Sequence, residues 1–577
     1  MKILKFLTSL ALIVSLCSTV GCRRQTTQTP ADIVVKGGQI YTLDATKEWV
    51  EAVAITGGRY VYIGNDGGVD DFLGVETEVI DLAGKMAMPG INDAHVHPMD
   101  GAIKDLFECN FTFTADPQEI ADTVTRCVAQ NPDAEWIRGG QWGSNFFVDH
   151  DIESPRQWLD RVSGDKAVVL SDDSVHNAWL NSRALELMGL DKDTPNPPGV
   201  EIVRNDLSGE LTGLILEGYG YLRGLGPILD SEEYKTAAQH VCATANKFGI
   251  TGIKDASANA IQVGEFLKLD RRGEMTVHFA SALETPYGAR ETGLDLEELI
   301  QQRDSLKSNN VDTGFVKIFT DGVPTAARTA AMLADYTTEN DEVVATAGHM
   351  HIDEGQLTRD LIALDAEGFT VKIHTAGDRS VRVALNAIAA ARAENGASGL
   401  RHELAHAGYV NSADITRFKT LDAVADLSPY LWYPSPIIES VIDAVGRPRG
   451  AQYWPIKSLL ASGAPVSTGS DWPAAAADMN PWGAIEAMIT RQNPAGDYPG
   501  SLWPEEAINL QQALQIFTLQ NARALKIDDK SGSVELGKLA DLIVLNQNLF
   551  KVPTSQIGDT QVLRTLFAGK TVYLVKE

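Results

Sequence analysis

One stretch decides how this sequence is interpreted, Met88–His97, which reads MPGINDAHVH. It leads from a Pro-Gly turn into an apolar strand that ends in two histidines. His95 and His97 are two residues apart, so both side chains point to the same face of a strand. If that face is the inside of a barrel, both imidazoles reach the same metal ion.

Four more residues of metal-binding type stand at the polar ends of later apolar runs. In chain order they are Lys317, His374, His406 and Asp471. The carboxyl ends of the strands in a (β/α) barrel meet at one mouth, where such side chains converge. The order therefore predicts a metal centre that collects its ligands from several strands. His349 and His351 repeat the His-x-His spacing, but they lie in a predicted loop and are not expected to be ligands.

Eight apolar strands alternate with helical stretches along the middle of the chain. They are Ile91–His97, Ile250–Lys254, Met275–Phe279, Phe315–Phe319, Thr370–His374, Arg401–His406, Ala423–Leu427 and Pro465–Thr468. This alternation implies parallel strands joined by helices, and eight is the number that closes a (β/α)8 TIM-like barrel. We predict an α/β fold with this barrel over residues 89–524 and an insertion at about 101–233 over the barrel mouth.

Both ends of the chain are rich in short strands. Branched residues and Gly-Gly turns alternate between Asp32 and Ile80, and the same texture returns at Asp541–Leu545 and Thr571–Val575. Residues 31–88 and 525–577 are therefore predicted to form one small β-sandwich domain from both chain ends.

The N-terminus predicts export. Lys2 and Lys5 precede the apolar run Phe6–Leu16, which Gly21-Cys22 follows, as in a secretory signal. Residues 1–22 resemble a lipoprotein-type signal peptide with a lipobox, in which Cys22 is acylated. We expect a protein of the bacterial cell envelope, lipid-anchored and facing the periplasm. A soluble periplasmic protein is the alternative.

The net charge and the cysteine content exclude some binding partners and some kinds of site. The chain has 49 basic and 77 acidic residues and a formal charge of −28, which argues against a nucleic-acid partner. Three cysteines lie beyond the signal, Cys109, Cys127 and Cys242, and no short spacing joins them. Mostly buried free thiols are expected, rather than a disulfide framework or a thiolate zinc site. The sequence leaves open whether the chain forms a homo-oligomer.

Several motifs together resemble the metal-dependent amidohydrolase superfamily, in the amidohydrolase family 3 branch that includes N-substituted formamide deformylase-like proteins. They are Met88–His97, Phe315–Gly322, His374–Asp378 and Gly532–Leu542. The resemblance covers roughly Asp32 to the C-terminus. It implies a hydrolase that cleaves a C–N (amide-type) bond, other than a peptide bond, of a small substrate with a metal-activated hydroxide.

The resemblance also implies a ligand set. His95, His97, His374, His406 and Asp471 would hold one or two divalent metal ions, with zinc as the expected metal. Lys317, carboxylated by carbon dioxide, would bridge the two ions. Asp471 would in addition shuttle the proton during catalysis.

Residues near the pocket receive further roles. His176 is similar to a His-x-x-Trp histidine of the same branch and is predicted to be catalytic and to contact the substrate. Glu217 and Trp142 are further candidates for substrate binding. Asp321 and Asp378 each follow a predicted ligand by four residues and are expected to orient it from a second layer.

Two other functions remain open. One is an ester or phosphoester hydrolase on the same fold, because the same hydroxide attacks either centre. The other is a lipid-tethered non-catalytic binding protein that keeps the barrel without turnover. A serine hydrolase is disfavoured, because the sequence contains no Gly-x-Ser-x-Gly motif.

Overall fold

The computed structural model describes residues 29–218, 222, 229–285, 294–338, 340 and 342–576. The predicted signal peptide and lipobox at 1–22, with Cys22, lie outside the described residues. Within these ranges, no helix is both long enough and apolar enough to cross a bilayer.

Eight parallel strands form the central sheet, and we number them β1 to β8 in chain order. Their bounds are β1 Ile91–Val96, β2 Ile250–Ala258, β3 His278–Glu284, β4 Val311–Phe319, β5 Thr370–Thr375, β6 Glu403–His406, β7 Val424–Leu427 and β8 Val466–Thr468. Each strand pairs in parallel with the next, from β1 through to β8. The predicted eight-stranded α/β arrangement is confirmed.

The side chain of Asn521 links β8 to β1, where the sheet would otherwise remain open. Its amide nitrogen donates to the carbonyl of Thr468 at 2.8 Å and to that of Asn92. Its amide oxygen accepts from the Thr468 amide at 3.0 Å. Just beyond β8, the amide of Asp471 donates to the carbonyl of His95 at 2.7 Å. The nearly closed sheet thereby becomes a TIM-like barrel.

Strand β3 differs from its prediction, because it begins at His278 rather than at Met275. The register is set by β2, in which Gly252 lies opposite His278. Met275 and Val277 are buried in the core before the strand begins. Their apolar character indicated burial correctly, but not membership of the sheet.

Helices lie between and after the barrel strands. They are Pro98–Phe107, Ser231–Lys247, Ala260–Arg271, Leu296–Ser305, Glu354–Ala366, Asp378–Asn395, Ile415–Leu421, Pro436–Val445, Arg447–Gly450, Ile456–Ser462, Pro481–Thr490, Leu510–Gln515 and Asn521–Ala524. Asp378–Asn395 shows why they form, since Val381, Leu385 and Ile388 recur at helical spacing and are buried. One apolar face therefore packs on the barrel core.

Strands from both chain ends form two further sheets. The four-stranded sheet has the order Arg59–Gly64, Ala52–Thr56, Ile33–Lys36, Glu78–Asp81, and the six-stranded sheet has the order Lys570–Leu574, Val562–Phe567, Leu542–Leu545, Met86–Pro89, Gln39–Tyr41, Trp49–Val50. A short helix lies at Asp66–Val69. Apolar side chains from both sheets share one buried cluster, which includes Ile33, Val53, Leu542 and Leu566.

The insertion contains its own six-stranded sheet and four described helices. The sheet order is Glu201–Arg204, Leu211–Leu216, Ala178–Leu180, Ala167–Asp172, Trp136–Trp142, Cys109–Asn110. The helices are Pro117–Gln130, Phe146–Asp149, Pro155–Ser163 and Ser182–Leu187. A two-stranded ribbon of Tyr336–Thr337 and Val343–Val344 follows β4.

The cysteine prediction was wrong for two of the three thiols. Cys109 and Cys127 form a disulfide, whereas Cys242 is a buried free thiol as expected. The helix Pro117–Gln130 packs back on the strand Cys109–Asn110, so residues 18 apart in sequence come to a Cα–Cα distance of 6.1 Å. This disulfide depends on tertiary packing, and no spacing of cysteines in the sequence predicts it.

Candidate metal centre and active site

The predicted ligands converge at the carboxyl ends of the barrel strands. Lys317 lies on β4, His374 on β5 and His406 at the end of β6. These three residues, together with His97 and Asp471, line one open pocket of about 1230 Å³. His95 on β1 lies behind the pocket wall and is fully buried.

The carboxylate of Asp471 lies among three imidazoles. Its Oδ1 atom is 3.4 Å from His95 Nε2 and 3.5 Å from His97 Nε2, and its Oδ2 atom is 3.6 Å from His406 Nδ1. The possible ligand atoms of His95, His406 and Asp471 all lie within 4.8 Å of one another. Donor atoms this close together could hold a single metal ion.

Unusual backbone conformations bring these ligands together. Asp471 and His406 have φ angles of 59° and 69°, in the left-handed region that costs a non-glycine residue about 1–3 kcal/mol. Gly469 makes the approach possible, because an added Cβ would lie 2.3 Å from the backbone of His95. The turn after β8 thus places Asp471 against β1.

His374 stands on the other side of His406, with 4.5 Å between their ring centroids. Its Nε2 atom is 3.1 Å from the carbonyl of Gly322, to which it donates, and 3.7 Å from Asp321 Oδ1. When Nε2 carries the hydrogen, the lone pair is on Nδ1. His374 therefore offers Nδ1 as its ligand atom.

Lys317 is an unusual buried lysine. Its Nζ atom has no hydrogen-bond partner among the described residues and lies 4.7 Å from the centre of the Phe319 ring. Burial and the charge of Lys372 lower the pKa of Lys317 to about 8. A neutral amine is therefore accessible near neutral pH.

Three of the predicted histidine ligands, His95, His374 and His406, are held neutral. Burial lowers the pKa values of His95, His374 and His406 well below 6.5, and neighbouring positive groups lower them further. For His95 the strongest of these neighbours is Lys372. Neutral imidazole is the form that binds a metal.

The residues present fit a divalent transition metal. Among the predicted ligands, His95 Nε2 and Lys317 Nζ are buried without a hydrogen-bond partner in the described part of the chain, and such atoms are costly to leave unsatisfied. Imidazole and carboxylate donors at this spacing suit ions such as zinc. An ion between Asp471 and the histidines would satisfy the His95 atom.

The insertion contributes a histidine–carboxylate pair to the pocket. His176 Nδ1 donates to Glu217 Oε2 at 2.7 Å, and Glu217 Oε1 accepts from the hydroxyl of Thr329 at 2.5 Å. The ring of His176 lies 5.3 Å from that of His374. Burial lowers the pKa of His176, but the charge of Glu217 and their hydrogen bond outweigh it and raise the pKa above 6.5. Glu217 therefore favours the protonated form of the imidazole that faces His374.

Comparison with known proteins identifies the family of this chain. The family model described as the amidohydrolase family matches residues 78–573. The chain belongs to the amidohydrolase family. Family membership indicates a hydrolase that uses a divalent metal.

Two relatives of this amidohydrolase extend over nearly its whole length. It is 28% identical to Protein LONG AFTER FAR-RED 3 of Arabidopsis thaliana, over 94% of this chain and 92% of that protein. It is 26% identical to the N-substituted formamide deformylase of Arthrobacter pascens, over 94% of this chain and 98% of that protein. An uncharacterized metal-dependent hydrolase from Pyrococcus horikoshii has a similar solved structure, with a TM-score of 0.69 and 22% identity over 90% of this chain and 99% of that one. That likeness supports the fold.

The two aspartates predicted to orient ligands have different surroundings in this amidohydrolase. Asp321 is buried, lies 3.7 Å from His374 and accepts hydrogen bonds from the amides of Ala331, Ala376 and Gly377. Burial raises the pKa of Asp321 to about 7. Asp378 instead accepts from the amide of Leu333 at 2.8 Å, at the start of its helix, so this contact gives no support to a role beside His374.

Trp142, which the sequence predicts to contact the substrate, is a buried residue of the insertion. It is 4% exposed and packs against Phe147 in the core of the insertion, with 4.9 Å between ring centroids. The described lining of the pocket does not include it.

Sequence reasoning missed a layer of buried charges below the ligands of this amidohydrolase. Its members are Lys254, Lys372, Glu403 and Asp426. The signal was present in part, because Lys372 precedes His374 by two residues and must share its face of β5. Asp426 likewise interrupts the apolar run of β7.

Proposed function

We propose that this amidohydrolase cleaves a C–N bond, other than a peptide bond, in a small amide-type substrate. The observation that carries the proposal is the Asp471 carboxylate set among His95, His97 and His406 at the base of an open pocket. The relative named N-substituted formamide deformylase supports this bond type.

Asp471 and His176 carry the proposed proton and charge steps. A bound divalent metal would lower the pKa of a water molecule and polarise the substrate carbonyl. Asp471 takes the proton from the attacking water and delivers it to the leaving nitrogen. His176, protonated beside Glu217, donates a hydrogen bond to the carbonyl oxygen as negative charge develops there.

Zinc is the proposed metal, as one or two ions per chain. A carboxylated Lys317 would supply a second carboxylate to hold the metal. The lowered pKa of Lys317 supports this modification, because carbon dioxide reacts with the neutral amine. The unsatisfied Nζ atom in the pocket wall is a second supporting observation.

We further propose that the mature chain is lipid-anchored through Cys22 and faces the periplasm. The disulfide between Cys109 and Cys127 supports export, since disulfides persist in oxidising compartments. Residues 31–88 and 525–577 are proposed to form a separate β-sandwich domain, supported by the cluster that their two sheets share. Assembly as a homo-oligomer is a further proposal.

A hydrolysis screen tests the proposed activity. N-formyl, N-acyl-amino-acid and cyclic amide panels are incubated with the zinc-loaded protein, with ester and phosphoester panels alongside. Release of amine from an amide class, abolished by chelation and restored by zinc, is the expected result. Turnover of esters or phosphoesters alone would establish the alternative hydrolase, and binding without turnover of any panel would establish the non-catalytic alternative.

A further inference from the structure

A charged layer lies directly beneath the predicted metal centre. The interior of a TIM barrel is usually packed with bulky branched side chains. Here the layer holds four charged side chains that are at most 1% exposed: Lys254 on β2, Lys372 on β5, Glu403 on β6 and Asp426 on β7. Buried ions lose their hydration, and apolar replacements are often as stable. Stability alone is therefore a weak reason for this layer.

The four charges are paired in alternating sign across the barrel. Lys254 contacts Glu403 Oε1, and Lys372 lies 2.8 Å from Glu403 Oε2. Lys372 also contacts Asp426 Oδ2 at 2.5 Å, and it donates to the carbonyl of Ala94 at 3.2 Å. The chain of pairs thus crosses the barrel and ends at β1, beside His95.

Asp426 connects this layer to a predicted ligand. Its Oδ2 atom lies 2.7 Å from His95 Nδ1, and its Oδ1 atom accepts from the hydroxyl of Ser467 at 2.9 Å. A carboxylate only accepts, so the hydrogen of the imidazole must be on Nδ1. The Nε2 lone pair then faces Asp471, 3.4 Å away.

We propose that Asp426 is the positioning residue of the metal centre, which fixes the tautomer and the ring orientation of His95. Lys372 and Ser467 hold the carboxylate in place from its other sides. This inference rests on the proposed metal centre, because a positioning role for Asp426 requires that His95 binds the metal. Partners of this kind, one layer behind a ligand, tune both orientation and affinity.

Zinc affinity measured by competition with a chromophoric chelator tests the proposal on the purified mature protein. Asp426→Asn should lower the affinity roughly 10- to 100-fold. Asp365→Asn is the matched control, because it breaks another buried His–Asp pair, His402 Nε2 to Asp365 Oδ1 at 3.0 Å, away from the centre. The control should stay within about threefold of the unmodified protein, since distant sites couple weakly. Equal losses in both variants, or a change below about threefold in Asp426→Asn, would overturn the assignment.

A second measurement needs no change at Asp426 and so decides the question even if that variant fails to fold. Nitrogen-15 spectra of the histidine rings in zinc-free protein report which nitrogen carries the hydrogen, with His95 assigned from the signal lost in His95→Gln. The Nδ1–H form is expected, and the Nε2–H form would overturn the proposal. If the unmodified protein binds no zinc, the metal centre itself fails; if it binds zinc and Asp426→Asn binds equally well, only this inference fails.

Discussion

Replacing Asp471 by asparagine should separate proton transfer from metal binding. The carboxylate has Oδ1 near His95 and His97 and Oδ2 near His406, so both oxygens face the ligand cluster. Asparagine keeps the size and one oxygen, which preserves contact with part of the cluster. It loses the negative charge and the ability to accept a proton.

The expected loss follows from that difference. A positioned general base or acid contributes roughly 10²- to 10⁴-fold to a rate, which corresponds to about 3–5 kcal/mol in the activation barrier. We therefore expect kcat of Asp471→Asn to fall within this range. The metal content should remain close to that of the unmodified protein, because the four other predicted ligands besides Lys317 are unchanged.

Two assays on one preparation check this prediction, namely turnover of the best amide from the hydrolysis screen and elemental analysis of bound metal. Asp478→Asn is the matched control, since it makes the same change seven residues later, outside the described pocket lining. Its turnover should equal that of the unmodified protein. A kcat of Asp471→Asn within a few-fold of the unmodified value would refute the assigned role, and a metal-free variant would show that Asp471 mainly holds the ion.

Three further predictions concern other parts of the site and the fold. Lys317→Ala should abolish turnover, and short-chain carboxylic acids should restore part of it by replacing the carbamate; absence of rescue would count against carboxylation. Glu217→Gln should move the alkaline limb of the kcat/KM profile to lower pH, because Glu217 raises the pKa of His176 and burial alone lowers it; an unmoved limb would exclude protonated His176 as the hydrogen-bond donor to the substrate carbonyl. Replacing Cys109 and Cys127 together by serine should lower the free energy of unfolding by about 3 kcal/mol, as expected for a loop of this length. Denaturant titration measures the loss, and an unchanged midpoint would show that the bridge does not stabilise the insertion.

Periodicity predicted the parts of the fold that depend on local pattern. The barrel strands, including β1 with His95, were found because apolar runs end in polar residues at the barrel mouth. The start of strand β3 was predicted three residues too early. Met275 and Val277 are buried, and a buried apolar residue gives the same sequence pattern whether or not it pairs with a neighbouring strand. The Cys109–Cys127 bridge was missed because it depends on how a helix packs back on a strand.

Site residues could be predicted where the spacing within one strand places them together. They were harder to predict where residues of different strands must meet. His95 and His97 share a face by spacing alone, but the contact of Asp426 with His95 joins β7 to β1 across the barrel. No local pattern reports such a distance. The position of Trp142 was hard to predict for a related reason, since an aromatic residue in an insertion packs inward as readily as it lines a pocket.

The most direct test of the metal-centre account is the metal content of active protein, measured by elemental analysis alongside activity during chelation and reloading. The account predicts one or two divalent ions per chain, loss of activity on their removal and its return with zinc. It also predicts that His95→Gln lowers the metal content and the activity together. Full activity in protein that contains only trace metal would contradict the account.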